Sequence, residues 1–487
     1  MATATTLLSR QLLIDGKFTP AVTGESFAVY NPATEQQIAV VSRAGSADVD
    51  LAVAAARRAF DSGVWRNLPG GERSRIMLRF AELIEAHGDE VAQLETANNG
   101  MPLAFARGSV AGGLRNLRWF AGAATRITGQ AVANSLSVPG EFHAYTRKEP
   151  IGVVGLITPW NGPIGTFMLK VAPALAAGCS IVLKPSEITP LTALRLGELA
   201  LEAGIPAGVL NVVPGFGAEA GAAIANHPGI NKISFTGSTL VGKELVRASA
   251  GNLKRVTLEL GGKSPCVVFD DADMDIAIPG ATMAIAANTG QVCFAGSRLF
   301  VQRKSFDKVV AGIADHMSKL RIGNGMDADT QLGPVVSAKQ RDRVNSYIEL
   351  GREEGAEAIV GTQQLADTGY FVAPTIFTNV NPGMRIVQEE IFGPVLVATP
   401  FDDADEIPAL ANATNYGLGG GIFTTNLSTA HRLAARIETG NIWINCYSVL
   451  DPTMPFGGFK ESGWGRELSD EGLGAYLETK SVWIKLG

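Results

Sequence analysis

From residue 150 onward, short apolar runs alternate with stretches patterned for helices, and that alternation leaves few folds open. Val153 to Ile157 reads as a buried strand, Thr158 to Gly162 as a turn, and Pro163 to Ala177 as a helix entered through a permissible proline. Ser180 to Leu183 is a second strand, followed by Lys184-Pro185-Ser186-Glu187. Thr192 to Glu202 is patterned as a helix, and Val209 to Val213 is a strand closed by Pro214 and Gly215. A helix over Ala218 to Ala225, a strand over Lys232 to Thr236 and a helix opening at Gly237-Ser238-Thr239-Leu240-Val241-Gly242 continue the series. Apolar strands alternating with helices specify an α/β fold with a mostly parallel sheet. Ligands of such sheets gather at the carboxyl ends of the strands.

At 487 residues the chain exceeds one compact core and fits about two or three domains. Before residue 150, helical patterns run over Asp48 to Phe60 and Glu72 to Thr96, separated by the turn Asn67-Leu68-Pro69-Gly70. A breaker-rich segment with Gly129, Pro139 and Gly140 precedes a bridging strand at Ala144 to Arg147. After Gly261-Gly262 a second α/β pattern begins with Pro265 to Phe269, then Leu299 to Gln302, a helix over Phe306 to Lys319, and Glu390 to Ala398. A domain boundary is therefore expected near residue 261.

Charge and cysteine usage exclude several function classes. A net charge of -6 and a pI near 5.6 give no general attraction to nucleic acid or an anionic membrane. Met1 to Ile14 lacks the cationic start and apolar core of a leader, and Lys170 interrupts the apolar stretch from Ile164 to Leu183. The four cysteines, Cys179, Cys266, Cys293 and Cys446, are too scattered for a disulfide framework or metal cluster. The five histidines join no compact Cys/His ligand pattern, which argues against zinc alcohol dehydrogenation. The expectation is a soluble cytoplasmic protein with no metal, no nucleic acid partner and no membrane partner.

Three polar residues stand out within apolar surroundings. Cys293 lies in Asn288-Thr289-Gly290-Gln291-Val292-Cys293, among small uncharged neighbours; a buried cysteine is either a small hydrophobe or a nucleophile. Asn161 precedes a helix, where capping is the ordinary use. Glu259 lies between Leu258 and Leu260 on a strand, where an unpaired carboxylate is costly and therefore competes as a functional group with a plain ion pair.

With Thr158-Pro159-Trp160-Asn161, Lys184-Pro185-Ser186-Glu187, Phe235-Thr236-Gly237-Ser238 with Gly242, Glu259-Leu260-Gly261-Gly262, Gly290-Gln291-Val292-Cys293, Glu389-Glu390-Ile391-Phe392-Gly393-Pro394 and Pro455-Phe456-Gly457-Gly458 in this order, the chain resembles the NAD(P)-dependent aldehyde dehydrogenase superfamily over nearly its full length. The resemblance is to the hydrolytic type. It implies a Rossmann-like NAD-binding domain over residues 1–122 and 148–260, an α/β catalytic domain over 261–470, and a small oligomerisation arm over 123–147 and 471–487. It also implies self-association as a homodimer or homotetramer. Cys293 becomes the nucleophile toward a small-molecule aldehyde, and Asn161 with the Cys293 backbone N–H become donors to the oxyanion. Glu259 becomes the general base for thioester hydrolysis, with Lys170 near the catalytic water.

For the cofactor, Gly237 to Gly242 contains no GxGxxG fingerprint, so that motif alone misses the site. The resemblance assigns Trp160, Lys184, Glu187, Gly237, Ser238, Gly242, Leu260, Glu390 and Phe392 to cofactor binding. Glu187 on a ribose opposes an added phosphate, which favours NAD over NADP. The substrate tunnel is carried over to Gly162, Thr166, Leu169, Leu450 and Phe456, with no arginine clamp for a semialdehyde carboxylate and no aromatic cage for a quaternary ammonium. An apolar aliphatic or aromatic aldehyde is therefore expected. A CoA-acylating relative shares the thioester but not the need for Glu259, and an inactive binding relative has no need to retain Cys293, Glu259 and Asn161 together.

Overall fold

The strands of the first α/β pattern lie side by side in a computed structural model that describes residues 8–360 and 365–486. Residues 1–7, 361–364 and Gly487, included in the expected domain limits, lie outside the described residues. Among the described residues, five parallel strands form the middle of an eight-stranded sheet in the spatial order Arg255–Glu259, Lys232–Thr236, Val153–Ile157, Ser180–Lys184, Leu210–Val212. Antiparallel edges come from Gly463–Trp464 on one side and Leu12–Ile14 with Lys17–Thr19 on the other. The chain steps outward from Val153–Ile157 in one direction, then returns to its other side with Lys232–Thr236. Connections leave in opposite directions there, so a crevice opens between the carboxyl ends of those two strands.

A seven-stranded sheet follows, in which Pro265–Val268 lies between Arg298–Gln302 and Gly419–Phe423. A third sheet pairs Glu141–Pro150 with Leu477–Leu486 and the short Ala131–Val132. Its strands leave Val132, Trp483, Ile484 and Leu486 exposed. Among the described residues no helix is long and apolar enough to cross a membrane.

Four elements differ from the sequence expectation. The helical pattern over Glu72 to Thr96 is two helices, Gly70–Ala86 and Gly88–Asn99, because His87 leaves helical geometry and Gly88 is a poor helix former. Ala218 to Ala225 begins as a π turn at Gly217–Gly221 and becomes α-helical only at Ala222–Asn226. Glu390 to Pro394 is loop, and the strand starts at Val395: Phe392 has φ 62° and Pro394 has no N–H to give a ladder. A 21-residue helix, Leu103–Ala123, was not foreseen; Gly108, Gly112 and Gly113 blunt its helical signal, yet its Val110, Leu114, Leu117 and Phe120 are buried.

The helix Pro163–Ala177 is enclosed on most sides, with Phe167, Val171 and Leu175 all buried in the first core. Truncating such a residue as Phe167 to alanine costs roughly 3–5 kcal/mol. Its amino-terminal end meets a buried carboxylate: Glu95 accepts the Ile164 N–H at 3.1 Å and the Thr192 hydroxyl at 2.8 Å. Favourable as that end of the helix dipole is for an anion, burial dominates and pushes Glu95 up to about 7 from 4.5. The folded protein thus holds a proton that the unfolded chain has already lost. The associated stability is complete below the unfolded value and disappears as pH rises through about 7. Glu95→Gln, which keeps an acceptor for Ile164 and carries no charge, should raise unfolding stability at about pH 8 by on the order of 3 kcal/mol, with the gain vanishing toward about pH 4.5. Denaturant unfolding across pH checks this; a gain independent of pH would contradict it.

Candidate active site

Cys293 sits in an irregular segment between the helix Met274–Ala286 and the strand Arg298–Gln302, packed against the core of the first sheet. The segment is reached through a left-handed turn in which Asn288, Thr289 and Gly290 have φ of 48°, 55° and 72°. For a β-branched threonine that conformation costs roughly 1–2 kcal/mol. Specific partners hold it: the Thr289 hydroxyl donates to Gly333 O at 2.8 Å, the Gln291 amide donates to Asn288 O at 3.0 Å, and Gln291 Oε1 accepts from Val336 N at 2.9 Å. A Cβ on Gly290 would lie 2.1 Å from Gly393 O, so only glycine fits there.

This turn is stitched to the Thr158–Gly162 turn. Asn288 Nδ2 donates to Asn161 O at 2.8 Å, and Asn161 Nδ2 donates to Gln291 O at 2.9 Å. One amide hydrogen of Asn161 is thereby used, and the second is left over for a group in the cavity. Asn99 Nδ2 fixes the same turn by donating to Trp160 O at 2.7 Å. Burial raises the Cys293 thiol far above its ordinary range, and the carboxylates Glu390 and Glu259 add to the effect. Burial thus holds the side chain as the protonated thiol.

Glu259 ends its strand, 2 % exposed, and neither carboxylate oxygen has a hydrogen-bond partner. Burial, then the nearby charge of Glu467, lift its pKa well above 4.5, against the opposing pull of Lys170 and Arg466. Lys170 is wholly buried, paired with Glu467 and donating to Ser234 Oγ at 3.0 Å. Glu467 was not anticipated: it lies in the polar stretch Gly465-Arg466-Glu467, with no periodic signal to separate it from a surface charge.

Two cavities of about 560 Å³ and 250 Å³ share Pro159, Trp160, Thr236 and Gly237, and so form one cleft across the switch between the central strands. Lys184 and Glu187 line one end; Ser238, Leu260, Cys293, Glu390 and Phe392 line the other. Lys184 Nζ donates to Pro185 O and Gly215 O, both at 2.8 Å, with Glu187 Oε2 3.5 Å away, and burial lowers its pKa. Ser238 caps the helix Thr239–Ser249. Glu390 accepts from Gly262 N at 3.0 Å and is pushed by burial up to about 7. A Cβ on Gly261 would lie 2.4 Å from its carboxylate. Phe392 meets Trp160 edge to face at 5.1 Å. Gly242 lines neither cavity; a Cβ there would lie 2.7 Å from Leu260, so the glycine serves helix packing.

A third cavity, of about 460 Å³, opens on the other side of Cys293, between its neighbours Val292 and Phe294, Leu169, Leu450 and the helix Leu103–Ala123. Gly162, Thr166 and Phe456 do not line it. The Thr166 hydroxyl turns back to donate to Gly162 O at 2.8 Å, and Phe456 is buried against Phe294, 5.7 Å between ring centres. The tunnel residues expected from the sequence included no arginine clamp for a semialdehyde carboxylate; the unforeseen helix brings the exposed Arg115 into this lining.

Comparison with known proteins identifies this arrangement: the model of the aldehyde dehydrogenase family matches residues 18–482. The chain belongs to the aldehyde dehydrogenase family. Aldehyde dehydrogenase 1 of Tanacetum cinerariifolium is 46% identical over 97% of this chain and 94% of its own. The NAD+ complex of the Bacillus cereus aldehyde dehydrogenase has a TM-score of 0.96 and 47% identity, covering 98% of this chain and 97% of that one. The NAD-dependent aldehyde dehydrogenase of Sinorhizobium meliloti has a TM-score of 0.97 at 41% identity, over 99% and 96% of the two chains. The fold is therefore that of the family, with its two α/β sheets.

Proposed function

We propose that the protein oxidises an aldehyde with an apolar aliphatic or aromatic body to the carboxylic acid with NAD, through a thioester on Cys293. The observation that carries this reading is that Cys293 lines the long cleft while its chain neighbours Val292 and Phe294 line the apolar cavity, so the thiol's segment runs between the two. The cleft fits a dinucleotide: a lysine and a carboxylate at one end, and a capped helix start with the Glu390 carboxylate at the other. Lys184 and Glu187 would hold the adenosine ribose, Ser238 and the helix start the pyrophosphate, and Glu390 with Phe392 the nicotinamide end. When bound, NAD supplies the hydride acceptor that turns the cysteine adduct into a thioester.

The remaining chemistry falls to side chains. Glu259, whose raised pKa makes it a stronger base than an exposed glutamate, accepts the Cys293 proton directly or through one water. The thiolate adds to the aldehyde carbon. The free hydrogen of Asn161 Nδ2 and the Cys293 N–H stabilise the oxyanion, each such donor contributing roughly 10²–10³ in rate. Glu259 then activates the water that hydrolyses the thioester, and the adjacent Lys170–Glu467 pair carries the proton onward. The buried carboxylate favours release of acid over transfer to CoA. We further infer a division at residue 261 between cofactor and catalytic domains, with the third sheet as an arm that joins copies of the chain through its exposed edges.

An aldehyde panel with NAD, scored for NADH and carboxylate, tests the reading. Cys293→Ala should lower turnover by roughly a thousandfold or more while NAD binding persists, because only the nucleophile is removed. Near-normal oxidation by that variant would refute the assignment. NAD should exceed NADP in kcat/KM, and Glu187→Gln should narrow the difference by about tenfold through lost repulsion of the additional phosphate. A wild-type preference for NADP would contradict it.

A further inference from the structure

The apolar cavity beside Cys293 is wide because glycine stands where side chains would fill it. A Cβ on Gly108 or Gly165 would meet no atom within 4 Å, and one on Gly112 only the tip of Arg115, at 3.8 Å. Gly108 and Gly112 lie four residues apart on the helix Leu103–Ala123, hence on one face, and Gly165 borders the same cavity from the helix Pro163–Ala177. The resulting space of about 460 Å³ far exceeds a short straight-chain aldehyde and lies in the range filled by ring-bearing ligands.

Polarity in the cavity is divided. Leu169, Val292, Phe294 and Leu450 line it with apolar surface, whereas the exposed Arg115 is the one charged side chain among the described residues of the same lining. Arg115 also lies close enough to Asp451 to help hold that carboxylate below its usual range, after the two hydrogen bonds from Thr453. The guanidinium has five N–H donors to offer an oxygen acceptor.

We propose that the site takes an aldehyde with a broad apolar body, two fused rings wide, that carries an oxygen acceptor at the end remote from the carbonyl, where Arg115 receives it. This rests on the aldehyde-oxidising reading above. A short semialdehyde does not qualify, because it lacks the apolar body that would fill the cavity.

The test compares propanal, 2-naphthaldehyde, its 6-methyl and 6-carboxy derivatives, and succinic semialdehyde, with active enzyme counted by NAD binding. In the wild type, kcat/KM should rank 6-carboxy above 6-methyl naphthaldehyde, and both above succinic semialdehyde. Gly108→Leu and Gly165→Leu should each reduce the ratio of kcat/KM for 2-naphthaldehyde over propanal by roughly tenfold or more, since each places a branched side chain in the ring space. Arg115→Met should erase the preference for the 6-carboxy over the 6-methyl compound while the bicyclic-to-propanal ratio stays. An unchanged ratio in both glycine variants, a persisting 6-carboxy preference in Arg115→Met, or a wild-type preference for succinic semialdehyde would overturn the proposal. Failure of the wild type to oxidise any aldehyde would instead remove the functional reading beneath it.

Discussion

The two sheets meet through a reciprocal pair of hydrogen bonds, and the site depends on it. Asn288 reaches from the left-handed turn before Cys293 to the backbone of Asn161, and the Asn161 side chain reaches back to the backbone of Gln291. Each turn is unfavourable or irregular alone. Three residues in succession at positive φ need outside partners, and Gly333, Val336 and Asn161 provide them. The thiol and the Asn161 amide are thus positioned by backbone geometry rather than by flexible side chains, as the proposed oxyanion site would require. The bonds between Glu95 and the helix start, and between Asn99 and Trp160, brace the turn from behind.

Uncompensated charge is the second constraint. Glu259 has no hydrogen-bond partner for either oxygen, Glu390 has one backbone donor, and Lys170 shares its burial with Glu467. Desolvation raises the carboxylates and the Cys293 thiol together, so the resting site tends toward neutrality. A buried carboxylate without a hydrogen-bond partner is costly, and that cost is what makes Glu259 a candidate for function.

Much of this was legible in the sequence where local signals agree with the fold. The buried strands at Val153, Ser180 and Lys232 fell within a residue or two of expectation because apolar runs bounded by Gly and Pro leave little choice. The helix Leu103–Ala123 escaped because its cavity face is glycine, which reads as a breaker, and with it went Arg115 and the width of the pocket. Glu390 to Pro394 read as strand from its apolar neighbours, whereas the positive φ of Phe392 is set by the tertiary position of the loop. Asn161, Cys293 and Glu390 come from distant parts of the chain to line one cavity. Glu467, Asn288 and Asn99 carry no pattern of their own; only their partners, brought by the fold, distinguish them from ordinary polar residues.

The central claim is that Cys293 carries the acyl group and Glu259 clears it. Rapid mixing of Glu259→Gln enzyme with NAD and an aromatic aldehyde, quenched in acid and read by intact and peptide mass, tests both at once. The account predicts an acyl adduct on the Cys293 peptide that outlasts its wild-type counterpart, with NADH formed in about one equivalent before turnover slows. Wild-type turnover with no adduct on Cys293, or an adduct that clears at the wild-type rate, would contradict it.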